Sequence, residues 1–154
     1  MKKRYFILLF LIVIFFVSSS NFKFSKLPNT YPSMNVQYNG ESFETSISGS
    51  VWGNEKGEEM SKGEDLLVLY KNTKPIEVKA GEVLKLNFSY AKKIDTLNIL
   101  MAQKLDDTFV FNKIESPQNF DLITPNQKGE YIYTVHAIWD QKHGVTYFFK
   151  IAVD

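Results

Sequence analysis

The chain contains no cysteine, and this one absence removes disulfides, thiolate metal sites, a cysteine nucleophile and a lipid-modified cysteine behind a signal segment. Neither sign of charge dominates. Lys and Arg number 18 against 17 Asp and Glu, and three of the bases lie among the first 20 residues. The remainder carries 15 bases against 17 acids, a formal −2, so electrostatics makes no case for nucleic acid. Catalytic motifs are lacking too. No Gly-x-Ser-x-Gly occurs, Ser48 and Ser50 flank a single glycine with no histidine nearby, and no glycine loop could cradle a phosphate. The two histidines, His136 and His143, are seven apart with no glutamate at metalloprotease spacing. No catalytic residue, metal or cofactor is expected from these patterns.

What is present begins with a basic trio, Lys2, Lys3 and Arg4, followed by thirteen apolar residues from Tyr5 to Val17 and then Ser18-Ser19-Ser20. Thirteen helical residues reach about 20 Å, short of a bilayer core of roughly 30 Å, with the serines and Asn21-Phe22 able to extend the span. Residues 1–20 therefore read as one N-terminal hydrophobic helix, either a signal peptide cleaved after Ser20 or a retained signal anchor. The bases hold the N-terminus inside and send the rest outward. Residues 21–33, polar with Pro28 and Pro32, read as a linker, and residues 34–154 as one domain.

That domain shows period-two alternation and no helical period. Asn39-Gly40 is a strong turn signal between strands at Met34–Tyr38 and Glu41–Ile47, which sets Val36 opposite Phe43. The stretch from Gly53 to Asp65 is rich in glycine and charge and reads as the longest loop. Short strands are predicted over Leu66–Tyr70, Ile76–Val78, Val83–Phe88, around Leu97–Met101, around Phe109–Phe111 and over Phe120–Ile123. Asp106-Asp107 reads as a turn.

The clearest feature closes the chain. Tyr131, Tyr133, Val135, Ala137 and Trp139 share one face of a strand, and Val145, Tyr147, Phe149, Ile151 and Val153 share one face of the next. A five-residue connection, Asp140 to Gly144, would set Trp139 opposite Val145 and Tyr133 opposite Ile151, with all ten inward residues on one side. Ile138 and Phe148 on the other face call for a covering layer or an interaction surface. About nine short strands at this spacing argue an all-β sandwich.

Two resemblances follow. The turn Asn126-Gln127-Lys128-Gly129 followed by Glu130-Tyr131-Ile132-Tyr133 resembles the tyrosine corner of immunoglobulin-like domains, with Tyr131 in the corner position and Tyr133 where antibody domains carry cysteine. More widely, Gly49-Ser50-Val51-Trp52, Asp65-Leu66-Leu67, Lys74-Pro75-Ile76-Glu77-Val78, Gly81–Phe88 and Gly129–Trp139 are similar to the small secreted or membrane-anchored Ig-like-domain proteins of Gram-positive bacteria. The likeness covers most of residues 34–154 and implies an immunoglobulin-like β-sandwich outside the cell, with no activity attached. Related chains often hold a lipobox cysteine or a cysteine after the Trp; this one has neither, so lipoprotein anchoring is not implied.

The leading reading is an extracytoplasmic binding or accessory module without catalysis. It would be membrane-attached through residues 1–20, or secreted if cleaved, and would meet a cell-envelope protein or glycan and no nucleic acid. Its interaction surface would combine exposed aromatics with the loops 53–65 and 140–144: Trp52, Glu58, Glu59, Trp139, Lys142, His143 and Phe148. Plain core packing of the aromatics is the competing reading for the rings. Two other functions compete. One is a protease inhibitor presenting those end loops. The other is a weak metal-dependent hydrolase using the acidic run Glu55, Glu58, Glu59, Glu64 and Asp65, which could equally be a solvated loop.

Overall fold

The computed structural model describes residues 27–54, 57–61, 63–105, 108–114 and 118–154. Along them the chain forms β1 (Met34–Tyr38), β2 (Glu41–Glu44), β3 (Ser46–Asn54), β4 (Gly57–Ser61), one helix α1 (Leu66–Asn72), β5 (Ile76–Val78) and β6 (Val83–Phe88). There follow β7 (Thr96–Leu105), β8 (Thr108–Ile114), a 3-10 turn at Gln118–Phe120, β9 (Asp121–Ile123), β10 (Gly129–Asp140) and β11 (His143–Val153). The strands make two sheets, β2-β1-β6-β9 and β4-β3-β11-β10-β7-β8. All these pairs are antiparallel; β5 alone runs parallel, beside Ile151–Val153 at the end of β11.

The two sheets enclose one core. Met34, Val36, Leu84, Leu86 and Leu122 face it from the smaller sheet, and Ile99, Tyr133, Val135, Val145, Tyr147, Phe149 and Ile151 from the larger. The result is a sandwich-like all-β fold, as period-two alternation requires when each strand has one dry face. Tyr133 and Phe149 stack with centroids 4.9 Å apart and planes 2° from parallel. The predicted pair Val36 and Phe43 forms across the β1–β2 turn, where Asn39 and Gly40 take φ of 50° and 82°. Those left-handed angles explain why Asn-Gly stands there. At Thr45 the chain leaves the smaller sheet, with the Thr45 hydroxyl donating to Met34 O at 2.7 Å, and β3 begins in the larger one.

Four expectations need correction. The closing hairpin pairs Tyr133 with Phe149, Tyr131 with Ile151 and Ala137 with Val145, two residues away from the register set by a five-residue loop. The turn is only Gln141-Lys142, because Asp140 pairs with His143 and the ladder shifts between Ile138 and Asp140. A slip of two leaves every side chain on its original face, so alternation is blind to it.

Leu66–Tyr70 is helix, not strand. The Asp65 carboxylate accepts the N–H groups of Leu67 and Val68, capping the first turn. Leu66, Leu69 and Tyr70, at i, i+3 and i+4, pack on Phe148, Ile132 and Ala102 across the outer face of the larger sheet. Five apolar residues fit either period, and here the cap and the sheet beneath decide.

The Gly53–Asp65 stretch is mostly paired: Val51 faces Met60 and Gly53 faces Glu58 in the β3–β4 hairpin. Nor is the segment before β1 a free linker, at least from Leu27 onward. The Trp52 indole N–H donates to Pro28 O at 3.0 Å, the Tyr147 hydroxyl to Pro32 O at 2.6 Å, and Ser89 N–H to Ser33 O at 2.9 Å. Leu27 packs against the core. Among the described residues no helix is long and apolar enough to cross a membrane. The N-terminal hydrophobic helix expected over residues 1–20 and the Asp106-Asp107 turn lie outside the described residues.

Candidate functional site

Of the residues expected to form an exposed surface, the three large rings are buried. Trp52 is 2% exposed, Trp139 5% and Phe148 0%. Trp52 and Trp139 meet edge to face, with centroids 5.3 Å apart, on the inner side of the larger sheet. Phe148 lies on the opposite side beneath α1, so the covering layer its position called for is the helix. Core packing accounts for all three.

His143 and Lys142 sit at the turn of the closing hairpin. His143 Nδ1 lies 2.7 Å from Asp140 Oδ1 and Nε2 lies 3.0 Å from Gly53 O, and the ring meets Trp52 edge-on at 4.8 Å. His143 is thus held on both sides rather than solvated. Burial works to raise the Asp140 carboxyl, but the Lys142 N–H and the His143 ring outweigh it and hold that carboxyl below its ordinary value. Lys142 is exposed. Glu58 and Glu59 lie in β4, where only the backbone is described. Of the acidic run, Glu55 lies outside the described residues and Asp65 serves as the helix cap. Among the described residues no three His, Asp or Glu side chains gather as a metal site.

The open surface lies elsewhere. α1, with Phe109 and Phe111, covers only the half of the larger sheet's outer face around Ala102, Ile132 and Phe148. Tyr70 anchors that cover: its hydroxyl donates to Glu130, and the Lys150 ammonium donates to Tyr70 O at 3.1 Å while lying 4.3 Å from the ring centre. The hydrogen bond to Glu130, with lesser help from burial, pushes the Tyr70 hydroxyl up to about 12. Towards the hairpin turn no helix among the described residues covers the same face. Two depressions of about 490 and 530 Å³ share His136, Ile138 and Thr146. Together they form one trough from β3 across β11 and β10 to β7 and β8, four inter-strand spacings or about 19 Å.

The trough exists for a local reason. Gly49 and Gly144 occupy outward positions on neighbouring strands and leave its floor without side chains; a Cβ on Gly144 would stand 3.6 Å from His136 Nε2 and 3.9 Å from Ile138 Cγ1. Thr146 Oγ1 lies 2.9 Å from His136 Nδ1 and orients the ring. Burial lowers the His136 pKa. Asn98, Thr134 and Lys113 add hydrogen-bonding groups, Leu100 and Ile138 apolar ones. A third depression, about 370 Å³, opens beside Met101, Val110, Asn126 and Tyr131.

Chemically the trough can hydrogen-bond and pack against an extended molecule. Its residues were legible only as the mixed second face of the closing hairpin, Thr134, His136, Ile138 and Thr146, with no motif to single them out. The fold and this surface define the class: a β-rich domain of two facing sheets with a half-covered outer face. No protein-family model, no curated protein and no solved structure matches the chain.

Proposed function

We propose that this protein is an immunoglobulin-like, non-catalytic module held outside the cytoplasmic membrane by residues 1–20, and that it binds a cell-envelope protein or glycan in the trough around His136 and Thr146. The Ig-like reading is supported by the Tyr131 hydroxyl, which donates to Gln127 O at 2.9 Å as a tyrosine corner does. It is also supported by strand order. β8-β7-β10-β11 runs as the C′-C-F-G sheet of variable-type domains does, while β1-β6-β9 matches A-B-E. Tyr133, two residues beyond the corner, stacks on Phe149 where those domains place a disulfide cysteine.

The observation that carries the binding reading is the half of the outer sheet face that α1 leaves uncovered among the described residues. Sheets of this size ordinarily cover an apolar face or make it polar; this one mixes Ile138, Leu100 and Val51 with His136 and three hydroxyl or amide groups over a glycine floor. The test is a photo-crosslinking residue placed in the full chain, in its native envelope, at Thr134 in the trough or at Lys79 on the far side. Adducts to envelope protein or glycan from the trough position, lost when Gly144→Val fills the floor, are the expected result. Equal labelling from both positions, or labelling indifferent to Gly144→Val, would remove the trough as the binding surface.

A further inference from the structure

Each sheet has two edges, and one edge strand differs in kind from the other three. Among the described residues the edges are β2 and β9 of the smaller sheet and β4 and β8 of the larger. β2 (ESFE) and β4 (GEEMS) each carry two glutamates, and β9 has only three residues. Charge and shortness are the usual devices that keep an edge from pairing with another chain. β8 has little of either: it runs for seven residues, TFVFNKI, with Lys113 as its one charge. We infer that β8 pairs antiparallel with β8 of a second copy of this chain, joining the two larger sheets edge to edge about a two-fold axis at Phe111. This pairing does not depend on what the trough binds.

The β7–β8 pair sets the phase of the free edge. Only two residues separate Leu105 from its partner Thr108, which makes theirs a hydrogen-bonded pair, and such pairs alternate along an antiparallel ladder. Val110 and Asn112 therefore direct their backbone groups towards Gln103 and Met101, while Phe109, Phe111 and Lys113 turn N–H and C=O to the outer edge. A two-fold axis at Phe111 sets Phe111 against the second copy's Phe111 and Phe109 against the second copy's Lys113, so that these groups bond reciprocally and all seven residues of β8 are paired. Centring on Phe109 or Lys113 would pair only three residues of the strand, and the latter would oppose two ammonium groups.

Side chains agree with the central register. On the outer face the exposed Lys113 meets the second copy's Phe109, a ring that attracts a cation, and the two Lys113 side chains stay at opposite ends. On the inner face Val110, 51% exposed, stands opposite the second copy's Asn112. Both residues line the depression of about 370 Å³, so the two depressions adjoin across the axis. Because that axis is perpendicular to the joined sheet, both troughs lie on one face, where a partner with repeated units can engage the two together.

The chain has no cysteine, so introduced thiols report the register. Val110 and the second copy's Asn112 form a non-hydrogen-bonded pair with Cα atoms about 4.5 Å apart, inside the roughly 4.4–6.8 Å that a disulfide spans, whereas the two Val110 sites lie about 8 Å apart, outside it. Full-length V110C and N112C chains are mixed and oxidised. Expected is a disulfide-linked dimer that forms several-fold faster in the mixture than from either variant alone. Sedimentation of the cysteine-free full chain gives a second readout. V110K/N112K, which opposes lysine to lysine across the axis, should shift the chain to monomer, and V110K/N112E, which opposes unlike charges, should keep it dimeric. Both positions are exposed, and thermal unfolding checks that the variants remain folded. A monomeric parent that yields no crosslink would overturn the inference. So would a dimer that neither crosslinks nor responds to V110K/N112K, since its copies would then meet elsewhere. Crosslinking as fast in V110C alone as in the mixture would overturn the register centred on Phe111.

Discussion

Replacing Phe148 by Ala separates a core ring from a partner-facing one. The side chain is 0% exposed, on the outer face of the larger sheet beneath α1, and clusters with Leu69, Ile132 and Ala102. Removing a fully buried Phe costs about 3–5 kcal/mol, the transfer term plus the cavity left behind, whereas truncating a surface ring stays within about 0.5 kcal/mol. For a domain whose total stability is about 5–15 kcal/mol, the loss is a large fraction. With an m-value near 2 kcal/mol/M, the urea midpoint should fall by about 1.5–2.5 M. The chain's two tryptophans, Trp52 and Trp139, lie in the inter-sheet core on the other side of the larger sheet and make a clean fluorescence probe. The double variant with Leu69→Ala should show a coupling of about 0.5–3 kcal/mol, since one helix residue and one strand residue share the same packing. A midpoint change below about 0.5 M at that m-value, or strict additivity with Leu69→Ala, would refute the claim that α1 seals this half of the sheet.

Trp52→Phe keeps a ring in the core but deletes the bond to Pro28 O. It should cost about 0.5–1.5 kcal/mol and speed proteolytic cleavage around Tyr31, which is 44% exposed; an unchanged cleavage rate in a mass-spectrometric time course would count against docking of this segment. His136 has its pKa lowered by burial, so between its folded value and the ordinary value of about 6.5 the unfolded chain binds more protons. Stability is accordingly complete above about pH 6.5 and declines as pH falls through that window; His136→Gln should flatten the slope of urea midpoint against pH, and an identical slope in the variant would show that another group is responsible.

The residues that were readable are those whose fate depends on nearby chain alone. Asn39-Gly40 specifies its turn through two left-handed backbone angles, and Val36 and Phe43 then face each other whatever the rest of the fold does. Tyr133 and Phe149 share a face because alternation along two long strands allows nothing else. Phe148 was harder: its alternation placed it correctly on the outer face, but whether that face is wet depends on α1, which was itself hidden in five apolar residues that suit a strand as well as a helix. The trough was not readable at all. Its shape arises where Gly49 and Gly144, 95 positions apart in sequence, lie diagonally across neighbouring strands, and where the short helix stops.

By itself, then, the order of residues determined a two-sheet, alternating, cysteine-free domain, since hydrophobic period and turn chemistry act over a few neighbours. Tertiary structure decided the partner of each strand, the half of the outer sheet face that α1 does not cover and the end at which Leu27 leaves the sandwich. Those outcomes turn on contacts between distant segments, and a register slip by two or a helix laid across a sheet changes them without altering a single local preference.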